Sequence, residues 1–148
     1  MAWPAYVLSA ALAVGALILS TTIVRSDVGE QIARRTAEAY HGLPAGRRER
    51  TVVMGQSYIV AAYIDGYSQR YNLPEAYSTN RSYGYFPPPP AGRDAVLYVG
   101  GDADVLRPHF AEVRTVGDIG DDLDIYLLTG LRQPWDQIWQ ELRTLSVS

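Results

Sequence analysis

Cysteine and lysine are both missing from this 148-residue chain, and the first absence removes whole classes of chemistry. Without cysteine the chain can form no disulfide, no thiolate metal site and no cysteine nucleophile. All 13 basic residues are arginines, which fits a GC-rich coding bias at least as well as any function. The net charge of −3 and the lack of a nucleic-acid reader motif argue against a nucleic-acid partner.

Histidine is scarce, and the acidic residues form no catalytic set. The chain has two histidines, far apart in sequence. Its one acidic cluster comprises Asp118, Asp121, Asp122 and Asp124. The spacing departs from that of a calcium-binding EF-hand loop, and the distal glutamate is missing. This cluster is therefore predicted to be a solvated hairpin turn. We assign no catalytic residue, no metal site and no cofactor, and expect this chain alone to be inactive.

The N-terminal segment is long and apolar enough to cross a membrane. Ala2 to Val24 contains no charged residue, and at 1.5 Å per residue a helix of that length reaches about 34 Å. A cleaved signal peptide is the alternative, but the segment has no basic region before it and no small-x-small cleavage site after it. The sequence predicts a transmembrane helix over residues 1–25 and a soluble domain over residues 26–148. The arginines after the helix favour a cytoplasmic domain by the positive-inside rule.

Alternating strand and helix patterns predict an α/β domain. Asp27 and Glu30 have the spacing of a capping box that opens a first helix. Thr51 to Gly55 is a short apolar strand, and the apolar spacing from Ser57 to Tyr71 predicts a helix. The run Ala95 to Gly100 is continuously apolar, as expected of a central strand covered on both faces.

The remaining elements complete one domain. We predict short strands at Ala76 to Thr79, Val113 to Val116 and Ile125 to Thr129. Pro134 opens a C-terminal helix with an apolar stripe that should close the core. The expected fold is a three-layer α/β domain with a mainly parallel sheet of about four to five strands and helices on both faces.

Two candidate binding segments follow predicted strands. The turn Gly55, Gln56, Ser57, Tyr58 places free backbone N–H groups at a helix N-terminus, where α/β folds bind anions. Ser57 would serve equally well as an ordinary N-cap, and we favour the N-cap over the anion site. Asp102 follows the Ala95 to Gly100 strand and would share the edge of the Gly55 turn if the two strands are parallel.

The stretch Tyr71 to Pro90 carries a family resemblance. Leu73 to Tyr83 reads L-P-x-x-Y-S-x-N-x-S-Y, and an aromatic pair and a proline run follow it. Met54-Gly55 ends an earlier strand, and Leu127 to Trp139 reads L-L-T-G-x-R-x-P-W-x-x-x-W. In this order the motifs resemble the soluble C-terminal domain of actinobacterial family 39 glycosyltransferases, over roughly the whole chain. Tyr83 stands in the loop where that family has tryptophan.

The resemblance implies a role in a membrane-bound transferase. Such enzymes move a sugar from a polyprenyl-phosphate carrier to a cell-envelope acceptor, with the catalytic acid among membrane helices that this chain lacks. The resemblance implies an extracytoplasmic domain, which is the orientation we adopt against the positive-inside rule. The expected partners are the membrane, the polytopic part of the transferase and a glycan or lipid-linked sugar.

The loop after Thr79 is the third candidate binding segment. Aromatic rings stack on the apolar face of a pyranose, and an asparagine amide bonds its hydroxyls. Asn80, Tyr83 and Tyr85 are therefore candidate substrate-binding residues, although the loop could equally be structural. A stand-alone membrane-anchored interaction module, which has kept the fold without the enzyme, is the alternative function.

Overall fold

The computed structural model describes residues 28–79 and 87–145 of the chain. The predicted membrane helix over residues 1–25 lies outside these ranges, and within them no helix has the length and apolarity to span a bilayer. The capping-box residue Asp27 lies outside them as well. Glu30 has other partners, since its carboxylate accepts a hydrogen bond from the Tyr71 hydroxyl at 2.7 Å and pairs with Arg70 at 3.0 Å.

The described residues form one α/β domain around a mixed five-stranded sheet of order β2-β1-β3-β5-β4. The strands are β1 Thr51–Gly55, β2 Ala76–Ser78, β3 Ala95–Gly100, β4 Phe110–Gly120 and β5 Leu123–Leu131. The helices are α1 over residues 28–41, α2 Ala45–Arg48, α3 Tyr58–Gly66, α4 Ser68–Tyr71 and α5 Trp135–Leu145, and a 3-10 helix covers Arg107–His109. All the predicted strands are confirmed, two of them longer than predicted.

Two apolar cores lie on opposite faces of the sheet. Side chains alternate between the faces along a strand. On one face α1 and α3 pack against a row of paired residues formed by Val53, Leu97 and Leu127. On the other face α5 packs against residues that include Met54 and Tyr98. The prediction of helices on both faces is therefore confirmed.

The C-terminal helix closes the second core, as its sequence pattern predicts. Trp135, Ile138, Trp139 and Leu142 are all buried. The Trp135 indole nitrogen also donates a hydrogen bond to the Arg93 carbonyl, which ties the helix to the segment before β3. Because these tryptophans are buried, their role is packing rather than contact with an exposed ligand.

The prediction of a mainly parallel sheet is wrong. β3 is parallel to β1 and β1 to β2, but β5 is antiparallel to both β3 and β4. A two-residue turn, Asp121-Asp122, joins β4 to β5, and strands joined by so short a turn must be antiparallel. β5 then pairs with the parallel half of the sheet and leaves β4 at the edge.

The single helix predicted from Ser57 to Tyr71 is broken. Helix α3 ends at Gly66 and α4 covers one further turn, with Tyr67 between them in a non-helical conformation. The Ser68 hydroxyl donates to the Asp65 carbonyl at 2.8 Å, a local bond that competes with regular helix hydrogen bonding. The Asp65 carboxylate accepts from the Ala76 N–H at 2.8 Å, which joins the break to the start of β2. Tyr67 and Tyr71 do continue the apolar spacing of the predicted helix, but both side chains are only half-buried.

Candidate functional site at the carboxyl edge of the sheet

The parallel strands β1, β2 and β3 end at the same edge of the sheet. From β1 the chain turns into α3 on one face, whereas from β3 it turns toward Ala103 and Leu106 on the other face. β1 and β3 are neighbours, so the chain departs in opposite directions on either side of one crevice. Open α/β sheets bind their ligands at such a switch point. The Gly55 turn and Asp102 share this edge, as predicted for parallel strands.

The Gln56 side chain closes the crevice between β1 and β3. The Gln56 backbone N–H donates to the Val99 carbonyl at 2.9 Å, and the Gln56 side-chain Oε1 accepts from the Gly101 N–H at 2.7 Å. A Cβ atom on Gly100 would lie 2.7 Å from the Cβ of Gln56. Glycine at position 100 therefore makes room for Gln56, which links the two predicted binding segments directly.

Ser57 is an N-cap residue, as the sequence favours. It has extended geometry, and its Oγ accepts from the Val60 N–H at 3.2 Å. The N–H groups of Tyr58 and Ile59 carry no hydrogen bond to a described residue, as is usual in a first helical turn. The Tyr58 side chain is exposed. Free donors are thus present at this helix end.

Tyr98 places a buried hydroxyl beneath this edge. The side chain is fully buried, and no group among the described residues meets hydrogen-bond geometry with its hydroxyl. Burial raises the pKa of Tyr98 to about 12; the Thr79 side chain lowers it and the negative charge of Asp102 raises it. Thr79 is near enough to act on that pKa as a hydrogen-bonding group, and its hydroxyl, which donates to the Gln56 carbonyl at 3.2 Å, keeps lone pairs that can accept from Tyr98. The Tyr98 hydroxyl is closed to solvent, so it lies beneath the edge and does not form part of its accessible surface.

Acidic and hydroxyl groups dominate the rest of the edge. The Asp102 carboxylate accepts from the Asp104 N–H at 3.1 Å and forms no ion pair with a described residue. The Tyr126 hydroxyl donates to the Gly101 carbonyl at 3.1 Å. Burial raises the Tyr126 pKa, and the adjacent Asp124 carboxylate raises it further. The Gly100↔Asp124 pairing brings this second carboxylate to the same edge.

The arrangement suits a neutral ligand that carries hydroxyl groups. Carboxylates such as Asp102 and Asp124 accept hydrogen bonds and repel anions. A ligand hydroxyl can donate to a carboxylate and accept from a backbone N–H. The acidic surroundings therefore disfavour the anion site that helix N-termini often form, and favour a polyol or sugar.

The candidate residues predicted from sequence fall into two groups. Gly55, Gln56, Ser57, Tyr58 and Asp102 come together at this edge. The candidates Asn80, Tyr83 and Tyr85 lie outside the described residues, and their assignment stays a prediction.

Sequence reasoning missed Tyr98 and Thr79 as site residues. One signal was present: Tyr98 is a polar side chain in the otherwise aliphatic run Ala95 to Gly100, two residues before the carboxyl end. Its orphan hydroxyl could not be inferred, because hydrogen bonding depends on the neighbouring strands.

Within residues 28–79 and 87–145 no group of three or more His, Cys, Asp or Glu side chains could hold a metal ion. No family model, no curated protein and no solved structure matches the chain.

Proposed function

We propose that this chain is the extracytoplasmic C-terminal domain of an integral-membrane glycosyltransferase. The enzyme moves a sugar from a polyprenyl-phosphate donor to a cell-envelope acceptor. This domain has an accessory role in binding the acceptor and supplies no catalytic acid. Its partners are the membrane, the polytopic part of the transferase and the glycan.

One observation carries the proposal. The motif that resembles the transferase family, Leu73 to Tyr83, contains β2, which pairs with β1. The residue after β2, Thr79, donates a hydrogen bond to the Gln56 carbonyl and lies near Tyr98. The most distinctive part of the sequence therefore leads into the edge where hydroxyl-binding groups converge. A sugar hydroxyl at this edge would donate to the Asp102 carboxylate and accept from a backbone N–H.

Binding of acceptor glycan by the full chain, held in neutral detergent, tests this role. Asp102→Asn and Asp124→Asn are expected to weaken binding of oligosaccharides from the cell envelope by about tenfold, because each replaces a charged acceptor for a ligand hydroxyl. Asp104→Asn is the matched control, since Asp104 is exposed and pairs with Arg107 at 3.6 Å. Equal affinity in all four proteins would refute acceptor binding at this edge.

Loop variants test the contribution of the segment after Thr79. Asn80→Ala and Tyr83→Ala should weaken glycan binding, or docking onto the membrane domain, while lowering the free energy of unfolding by at most about 1 to 2 kcal/mol. A loss of several kcal/mol in a urea melt with unchanged binding would make the loop structural.

A transfer assay tests the absence of a catalytic acid. The purified chain should transfer no sugar from a polyprenyl-phosphate donor, because acid-base and electrostatic assistance at the carrier phosphate must come from other residues. Turnover above the blank that is abolished by a mutation within this chain would contradict the proposal.

A further inference from the structure

A second cleft lies far from the Gln56 edge, on the sheet face that carries α1. It has a volume of 280 Å³ and is lined by Leu43, Pro44, Arg47, Glu112, Arg114, Leu127 and Thr129. Arg114 pairs with Leu127 and Glu112 with Thr129 across the last two strands, so these four side chains share one face. The apolar core on this face includes Leu127 and, from β4, Ile119, which lies five residues beyond Arg114 on that strand.

Two arginines in this cleft have no carboxylate partner among the described residues. Neither guanidinium, of Arg47 or of Arg114, makes an ion pair or hydrogen bond with a described residue. Other arginines do find partners: the Nε of Arg50 donates to Asp94 Oδ1 at 3.1 Å, and Arg70 pairs with Glu30 at 3.0 Å. Glu112 lines the same cleft but lies beyond pairing distance of both cations. The cleft thus presents two guanidinium groups that no described carboxylate pairs with, beside the carboxylate of Glu112.

The backbone that carries Arg47 is held in place by the surrounding structure. The N–H groups of Arg47 and Arg48 donate to the Pro44 carbonyl at 2.9 Å. The Thr51 hydroxyl donates to the Arg47 carbonyl at 2.7 Å, which joins α2 to β1. Arg114 lies on a strand paired along its length with β5. Both guanidiniums are therefore presented from ordered backbone, which lowers the entropy lost when a ligand binds.

We infer that this cleft binds a phosphate ester that also carries hydroxyl groups, in chemical terms a sugar phosphate or polyol phosphate. Guanidinium groups match phosphate in charge and geometry. The Glu112 carboxylate and the Thr129 hydroxyl accept hydrogen bonds from ligand hydroxyls, and Leu43 and Leu127 offer an apolar wall for the C–H face of a ring. The volume lies just below the usual range of about 300 to 1,000 Å³, so one sugar phosphate fits better than an oligosaccharide. This inference does not depend on the proposed function.

Calorimetric titration of the full chain in neutral detergent tests the inference. Hexose 1-phosphate should bind saturably, and more tightly than either inorganic phosphate or the free hexose. Arg47→Ala and Arg114→Ala should each weaken it by about tenfold or more, because each removes a charge-assisted hydrogen bond. Arg48→Ala is the matched control: it removes a neighbouring charge from the same short helix but not from the cleft, and should change affinity by no more than about twofold.

Two further arms sharpen the outcome. Glu112→Gln should narrow the preference for hexose 1-phosphate over inorganic phosphate, since the carboxylate repels phosphate and accepts from hydroxyls. Phosphatidylinositol in neutral micelles presents the same chemistry on a lipid. Binding of the micellar ligand alone identifies a lipid headgroup as the source, and binding of hexose 1-phosphate identifies a soluble one.

Two results would overturn the inference. One is an equal loss of affinity in Arg48→Ala, which would mean that general positive charge is responsible. The other is the lack of saturable binding of every probe up to about 10 mM.

Discussion

At neutral pH Tyr98 keeps an uncharged hydroxyl in the core with no described partner. Replacing Tyr98 by phenylalanine should not lower the free energy of unfolding, because no hydrogen bond is lost and an unsatisfied polar atom is removed. Tyr98→Phe should therefore raise the free energy of unfolding in urea by about 1 kcal/mol or leave it unchanged. Tyr126→Phe is the comparison, since it loses the bond to the Gly101 carbonyl and should cost about 1 kcal/mol. A loss of more than about 2 kcal/mol in Tyr98→Phe would contradict the prediction.

The same residue predicts how stability changes in alkaline solution. Burial raises the folded-state pKa of Tyr98 from 10.0 to about 12. The unfolded chain therefore releases this proton first as pH rises, which favours unfolding. The stability that depends on the protonated Tyr98 hydroxyl is fully present below pH 10 and is lost as the pH rises toward 12. A pKa shift of this size corresponds to about 2 to 3 kcal/mol in the free energy of unfolding.

Urea melts between pH 8 and pH 11 measure this loss. The free energy of unfolding should fall less steeply with rising pH in Tyr98→Phe than in the wild type, because the variant has no proton to release at this position. Tyr71 and Tyr77, whose pKa values are also raised, titrate in both proteins and cancel in the comparison. Parallel slopes in the two proteins would show that Tyr98 does not titrate differently on folding.

The turn of the β4–β5 hairpin has a backbone geometry that its two aspartates adopt at a cost. Asp121 and Asp122 both adopt positive φ, 53° and 63°, as a two-residue type I′ turn requires. Asparagine and glycine accept this geometry better than aspartate does. Combining Asp121→Asn with Asp122→Gly should stabilise the domain by about 0.5 to 1 kcal/mol in a thermal or urea melt.

A nearby substitution provides the opposite control. The Asp118 carboxylate accepts from the Gly120 N–H at 2.8 Å, so Asp118→Ala should destabilise the hairpin. If both changes destabilise the domain, the turn in solution differs from the one described.

For the whole molecule, the sequence separates an apolar N-terminal segment from a folded domain. The full chain should partition with membranes or detergent, whereas a chain that begins at Asp27 should be soluble and folded, since the capping box and all the predicted strands and helices of the α/β domain lie beyond that point. Sedimentation and circular dichroism of the two proteins check this. A monodisperse full-length protein in a detergent-free supernatant would contradict it.

Prediction from sequence succeeded where a local pattern decides structure. The run Ala95 to Gly100 could only be a strand buried on both faces, and it is the central strand β3. Ser57 is the N-cap that its position before the helix suggested. The helix prediction failed at Tyr67. The apolar spacing continues through this residue, but the hydrogen bonds of the Ser68 hydroxyl and of the Asp65 carboxylate interrupt the helix there.

The candidate site was predictable only in outline. Gly55 and Asp102 follow strands, and parallel pairing brings them to one edge. The Gln56 bridge between β1 and β3 was not predictable, because it depends on two segments 45 residues apart. The two arginines of the second cleft lie in α2 and β4, and no sequence spacing relates them.

The sequence by itself determined the composition limits, the approximate positions of the five strands and of the main helices, and the turn that joins the last two strands. These depend on apolar periodicity, turn residues and caps, which act over a few residues. The tertiary structure alone decided that β5 inserts between β3 and β4, that the Tyr98 hydroxyl is left without a described partner, and that Arg47 and Arg114 line one cleft. Each of these depends on which distant strands and helices pack together, and that choice is made by burial of the whole apolar surface rather than by local sequence.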